Sequence, residues 1–308
     1  RFPDDDVWLS CWMAKKWMPK ATNAQIVFVN AGARLPDSEG DQSIVHFDTG
    51  GGDYDQHNKQ GGRTCSAALL AQGLGLGEDA ALKPLLDMAT AVDNIEPLSP
   101  TSIHFAIEGY PRRFRQNGGT NWEKVQERVF ELFDIVYGQE LGRHKNRRDL
   151  EKYCEWTLLP NGLKVALLDG YPGLRDAAFD QGAAVVVWVT YQHNQRDHTG
   201  IPRSRSYPDL KLYQVVAELR SLEAKRREID VTGKNLTYIG QGDPIPQWFL
   251  HQSRALILNG SRTHKLAKEE RTVLSPREVL GAVNRMLSKI PRETAAKWNP
   301  ISQSIGVS

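Results

Sequence analysis

Apolar side chains recur along this chain at two spacings, one helical and one strand-like, and their alternation outlines its elements. From Val7 to Met18, Trp8, Cys11, Trp12 and Lys15 fall on one stripe, which predicts a helix behind an acidic turn. Gln25 to Asn30 and Ser43 to Phe47 are short β-type runs, separated by a turn-rich stretch from Ala31 to Asp41. Thr64 to Gln72 reads as a helix that follows Gly61-Gly62 and stops at Gly73, and Leu82 to Thr90 reads as a helix running into Asp93. Glu123 to Tyr137 is amphipathic, with Val125, Val129, Leu132 and Val136 on one face.

The second half restarts with strand signals at Gly162 to Asp169 and Ala183 to Thr190, joined by a short helix from Leu174 to Asp180. His193 to Ser206 is polar, basic and punctuated by Pro and Gly, so it is expected to be an exposed loop. Leu210 to Glu228 predicts a long helix with Val215, Val216, Leu219 and Leu222 inward. Leu236 to Ile239 is a further strand candidate, and Trp248 to Leu258 opens and closes with apolar runs. Ser275-Pro276-Arg277-Glu278 carries a helix start, with Ser275 as N-cap, Pro276 at the first position and Glu278 completing a capping box.

Helices alternating with short apolar strands predict an α/β fold with a largely parallel sheet. Ligand groups gather at the carboxyl ends of the strands in such sheets. Asp48 stands at such an end, and Asp4 would too if a strand preceded it. The length of 308 residues suits about two domains. The boundary is placed in the polar, basic stretch after Tyr137, giving a parallel-sheet domain over 1–140, a basic linker over 141–150 and a smaller α/β domain over 151–308.

Composition narrows the class without naming a function. Hydrophobic content of 40% and charged content of 25% are those of a soluble globular protein with two modest cores. The longest apolar run, Ala183 to Val189, is far too short to span a bilayer. No signal peptide is visible, and the sequence starts at Arg1 rather than Met. Cys11, Cys65 and Cys154 have neither Cys-x-x-Cys nor zinc-type spacing and read as reduced thiols of a cytoplasmic protein. Net charge is only +2, but basic stretches recur at Arg112–Arg115, Gly142–Arg148, Pro202–Arg205, Lys225–Arg227 and Arg262–Lys265. A basic periphery around an acidic centre suits a polyanionic substrate; solvated helix faces and loops would give the same composition.

The acids carry the candidate chemistry. Asp4 and Asp6 sit two apart in Pro3-Asp4-Asp5-Asp6, where an extended turn aims both carboxylates at one place. Carboxylates that close repel unless a cation lies between them. The same tripeptide also suits a helix N-cap with acids in the first turn. Asp48 precedes Thr49-Gly50-Gly51-Gly52, where backbone amides can approach a phosphate or leave room for a metal; a hairpin-tip turn is the alternative. Asp55-Gln56-His57 adds an acid and an imidazole, and Asp93 follows the apolar Met88 and Val92, where a helix cap or ion pair would equally satisfy it. Oxygen donors with one or two imidazoles are what a pair of hard divalent ions requires.

The order of these motifs resembles that of the DHH phosphoesterase superfamily, and most of all its melanocyte-proliferating-gene nuclease branch. The matching stretches are Arg1-Phe2 with Asp4-Asp5-Asp6, Asp48-Thr49-Gly50-Gly51, Tyr54-Asp55-Gln56-His57 and Asp93-Asn94. Trp248-Phe249-Leu250-His251 and Gly260-Ser261 resemble the branch's C-terminal segments. Gln56 stands where the family has its first histidine of this motif.

The resemblance implies a DHH-like N-terminal domain and a C-terminal substrate-binding domain. Asp4, Asp6, Asp48, His57 and Asp93 would hold two Mn²⁺ or Mg²⁺ ions, with Asp55 and His57 in the signature motif. His57 would ligate an ion or protonate the leaving oxygen. His251, Gly260, Ser261, Arg262, His264 and Lys265 would meet the substrate from the second domain, and Arg suits phosphate through its planar fork. The implied activity is that of a nuclease or oligonucleotide phosphodiesterase acting on single-stranded RNA or DNA. A nucleotide pyrophosphatase is one alternative; the other is a weakened member that binds nucleic acid or nucleotide within a homo-oligomer or larger complex. Trp8, Trp12, Trp17 and Trp122 could stack bases, but the stripe shared by the first two favours core packing.

Overall fold

A computed structural model describes residues 3–30, 32–36, 41, 43–57, 62–116, 118–260, 267 and 270–298. The chain divides into two compact units, Arg1–His144 and Lys145–Ser308, of which the second is the larger.

The first unit is mainly helical. α1 (Asp5–Trp17), α2 (Ser66–Gly73), α3 (Lys83–Asp93) and α4 (His104–Arg113) precede a hairpin of β1 (Arg115–Gln116) and β2 (Gly119–Thr120), and α5 (Trp122–Tyr153) begins here. Trp8, Leu9, Trp12 and Met13 of α1 are buried against Leu70 of α2, Leu85 of α3 and Val125, Val129 and Phe133 of α5. Trp8 lies 6.3 Å from Trp122 and Trp12 lies 5.1 Å from Trp17, centroid to centroid, so these indoles form core rather than base-stacking platforms. The parallel sheet expected for this half is not what its described residues form. Residues 25–30 carry no strand, and of residues 43–47 only Phe47 bridges, to Tyr54. Val27 and Phe28 remain substantially exposed, so the apolar run there does not enter a sheet core.

The basic linker expected over 141–150 lies within α5, which runs without a break to Tyr153, and the division between the two units falls inside that stretch. The stretch is rich in Arg and Leu, both strong helix formers, and Glu140 just before it pairs with Arg143 one turn on. Gly138 and Gly142 each weaken this helix by about 1 kcal/mol without ending it.

The second unit is an α/β layer structure. β3 (Glu155–Leu158), β4 (Lys164–Asp169), α6 (Arg175–Asp180), β5 (Val185–Gln192), β6 (Gln195–Pro202), α7 (Tyr213–Arg226), β7 (Phe249–Leu250), β8 (Leu256–Asn259), α8 (Pro276–Ser288) and α9 (Arg292–Trp298) follow in order. The strands form one mixed sheet in the order β3-β4-β5-β6-β8-β7, in which only β4 and β5 run parallel. Val165, Leu167, Val185 and Val187 face α7 and α8, while Ala166, Leu168 and Val186 face α6 and the end of α5. The α8 cap is built as read: Ser275 accepts from Glu278 N, and the Glu278 side chain returns to the Ser275 amide.

Two further expectations give way here. The exposed loop expected over 193–206 contains β6, with His198, Thr199, Gly200 and Ile201 buried. Gly200 is required at its place, because a Cβ there would lie 2.2 Å from the Trp188 indole of the neighbouring strand. Leu236 to Ile239 is not a strand. Its carbonyls, with those of Gly240 and Trp248, are gathered by the fully buried guanidinium of Arg220 at 2.7–3.2 Å, under the ring of Tyr238. The three cysteines are free thiols. Among the described residues no helix is long and apolar enough to cross a membrane.

Candidate metal centre

The centre is assembled in the first unit from helix ends and one tight turn. Asp4 caps α1, its carboxylate accepting from Val7 N at 3.2 Å. Asp5 and Asp6 follow in the first turn, where the helix dipole favours negative charge. Asp6 is fully buried and reaches across to α2, accepting from Ser66 N at 3.0 Å and Ala67 N at 2.7 Å. The N-terminus of a second helix thus fixes its orientation.

Asp48 has a left-handed backbone, φ 54°, at the start of the Gly50-Gly51-Gly52 turn. Gly50 and Gly51 are also left-handed, and a Cβ on Gly50 would meet Arg34 Cγ at 2.7 Å. Asp55 is buried and organises the turn: it accepts from Gly51 N at 2.7 Å and His57 N at 3.0 Å, and its Oδ1 lies 2.9 Å from His57 Nδ1. Ser66 adds a brace, donating to Tyr54 O and accepting from Asp48 N.

Asp93 is the last residue of α3. Ligand atoms of Asp6, Asp48 and Asp93 lie within 4.8 Å of one another, although the residues come from three distant stretches of sequence. Gln56 lies among them. Its Nε2 donates to Asp48 Oδ1 at 2.7 Å and to Asp93 Oδ1 at 3.2 Å, while its Oε1 is buried without a donor among the described residues. His57 Nδ1 lies 3.5 Å from Asp48 Oδ1, with the ring otherwise exposed.

Burial pushes the Asp6 carboxyl up to about 7, against the opposing hydrogen bonds from the α2 amides. Burial raises Asp48 as well, opposed by the bond from Gln56. Asp55 is also raised by burial, but the Gly51 and His57 amides outweigh it and hold the carboxyl below its ordinary value. The bond to Asp55 holds His57 above the ordinary imidazole value. Three converging carboxylates, with burial opposing the charge of Asp6 and Asp48, form a hard-oxygen donor set that fits a divalent cation.

Of the acids picked out by sequence, Asp6, Asp48 and Asp93 meet as one cluster, Asp4 serves as a helix cap beside them, and Asp55 and His57 form the adjoining pair. His251 and Gly260 belong to the second unit. There His251 is exposed with Nδ1 2.8 Å from Ser253 Oγ, and Gly260 follows β8 with φ 81°. Ser261, Arg262, His264 and Lys265 lie outside the described residues. Sequence reasoning missed His104, which starts α4 and places Nδ1 2.8 Å from the buried Asp5 Oδ2. Burial raises Asp5 to about 6, and His104 opposes the rise. A cavity of about 1210 Å³ adjoins the centre, lined by Asp4, Asp48, Gly50, Gly51 and His57 together with Val7, Met18, Val27, Phe28 and Val45.

No family model matches the chain, and no curated protein matches it. Among solved structures it is similar to a DHH-domain protein described as a member of the s1p family of ribosomal proteins, at 14% identity and a TM-score of 0.32. That likeness covers 77% of this chain and 57% of the other, so the chain spans little more than half the length of the protein it matches.

Proposed function

We propose that this chain is a divalent-metal-dependent phosphoesterase of the DHH type, acting as a nuclease or oligonucleotide phosphodiesterase of the melanocyte-proliferating-gene kind. The convergence of Asp6, Asp48 and Asp93 on one point carries the reading. A Mn²⁺ or Mg²⁺ ion held there supplies positive charge against the phosphoryl oxygens and acidifies a water. The chain's own residues do the rest. The α2 amides and Gln56 hold the carboxylates in place. Asp55 engages His57 at Nδ1, which leaves Nε2 as the nitrogen that gives a proton to the leaving oxygen. The bond to Asp55 raises His57 above the ordinary imidazole value, which favours the protonated ring. Apolar Val27 and Phe28 and the acidic residues line the same cavity, which suits a nucleotide with its base against the former. His251, Gly260, Ser261, Arg262, His264 and Lys265 are proposed to bind the substrate.

The test is hydrolysis of end-labelled single-stranded RNA and DNA with Mn²⁺, beside an Asp48→Asn control. Asparagine tolerates the left-handed backbone at this position, so the control removes charge without adding strain. Metal-dependent cleavage by the wild type and none by the control is expected; equal products from both would overturn the assignment. The Gln56 amide between two carboxylates favours one second reading, a weakened member that binds nucleic acid without turnover. Salt-sensitive binding with no product would identify it.

A further inference from the structure

The side chain of Gln56 does what a cation would do between Asp48 and Asp93. Its amide nitrogen carries two donors and no lone pair for a metal, and it donates to both carboxylates. Its oxygen, the atom able to ligate, is buried with no donor reaching it among the described residues. Among the described residues Asp4 Oδ1 accepts from Val7 N, Asp55 accepts from Gly51 N and His57 N, and His57 Nδ1 lies against Asp55. The acids that meet are Asp6, Asp48 and Asp93, with ligand atoms no more than 4.8 Å apart. Three carboxylates suffice to hold a single ion with bonds of about 2.1 Å, with water completing its shell. Two ions roughly 3.5–4 Å apart require a wider set of donors.

Resting on the proposed metal-dependent activity, we infer that this centre takes one divalent ion rather than two, and that the Gln56 amide occupies the second position as a neutral donor competing with ion entry. The donor steadies the cation-free carboxylates, and an entering ion must displace it or turn the amide over.

The test is a Mn²⁺ titration of the full chain followed by electron paramagnetic resonance, which counts ions and detects magnetic coupling without any substrate. Wild type is expected to bind one Mn²⁺ per chain with no coupled-pair signal. Gln56→Met removes donor and acceptor at similar volume. It is expected to bind Mn²⁺ about fivefold more tightly, the equivalent of a modest hydrogen bond, and to melt at a lower temperature in EDTA. Gln56→His is expected to gain a second, coupled ion. A coupled pair in the wild type, or weaker binding by Gln56→Met, would overturn the inference; the latter would make Gln56 a ligand. Binding by Gln56→Met but not by wild type would support the competition while refuting the proposed metal-dependent activity. No Mn²⁺ bound by either protein would refute both. The wild-type count decides between one ion and two even if a variant fails to fold.

Discussion

Asp93 ends α3, where the peptide dipoles of the helix present partial negative charge, and Asp48 faces the same amide of Gln56. Neutralising it relieves both repulsions while keeping an oxygen that accepts from Gln56. Asp93→Asn is therefore expected to raise the melting temperature in EDTA by the equivalent of about 0.5–1 kcal/mol and to abolish the further rise that Mn²⁺ gives the wild type. Differential scanning calorimetry with and without Mn²⁺ checks both; a lower midpoint in EDTA would contradict the account. His104 acts on the other side of α1. His104→Ala strips the buried Asp5 of its donor and is expected to cost about 1–3 kcal/mol in urea unfolding, with His104→Asn recovering part through its amide. At this scale much of the centre was legible. Acids after a strand-like run, before glycines and at a helix end announced Asp48 and Asp93. The bridging of Gln56 and the pairing of Asp5 with His104 were not, because each depends on which distant backbones approach.

The elements were legible where local chemistry decides them. The α8 start could be read from four residues because both halves of its capping box lie within them. Its Glu278 carboxyl is held down at about 2, first by the Ser275 amide and then by Arg226, against an ordinary 4.5. A depressed carboxyl stabilises the fold above its unfolded value, and that stability disappears as pH falls from about 4.5 toward 2. Wild type is thus expected to lose stability over that window more steeply than Glu278→Gln, as measured by thermal midpoint against pH; parallel curves would remove the cap from the account. β6 was illegible for the opposite reason. Gly200 looks like a loop residue and is a strand residue only because the Trp188 indole needs its missing side chain. Residues 236–239 have a strand's composition, but Arg220 takes their carbonyls before a neighbouring strand can. The basic stretch over 141–150, where the domain boundary was placed, lies inside α5, because Arg, Lys and Leu are good helix formers.

For the whole chain, the metal centre and the Arg220 hub belong to different units, Arg1–His144 and Lys145–Ser308. Arg220→Met removes the guanidinium from the carbonyls of Leu236, Tyr238, Gly240 and Trp248, of which Gly240 keeps Leu250 N, and is expected to destabilise the second unit by about 3 kcal/mol or more. The stoichiometry of Mn²⁺ binding should not change, and a lost ion would contradict the assignment of the centre to the first unit alone. The α/β class was read correctly from alternating periods; strands were expected in both halves, but among the described residues the six-stranded sheet forms in the second alone, since pairing partners are not written in any single run. One practical matter follows from how deep the sulfur atoms sit. Burial lifts the Cys11 and Cys65 thiols to about 12 and Cys154 to about 11, so at neutral pH almost none of their nucleophilic thiolate exists. Purified protein is expected to tolerate air without dithiothreitol, and leaving out that chelating dithiol keeps manganese free to reach the carboxylates.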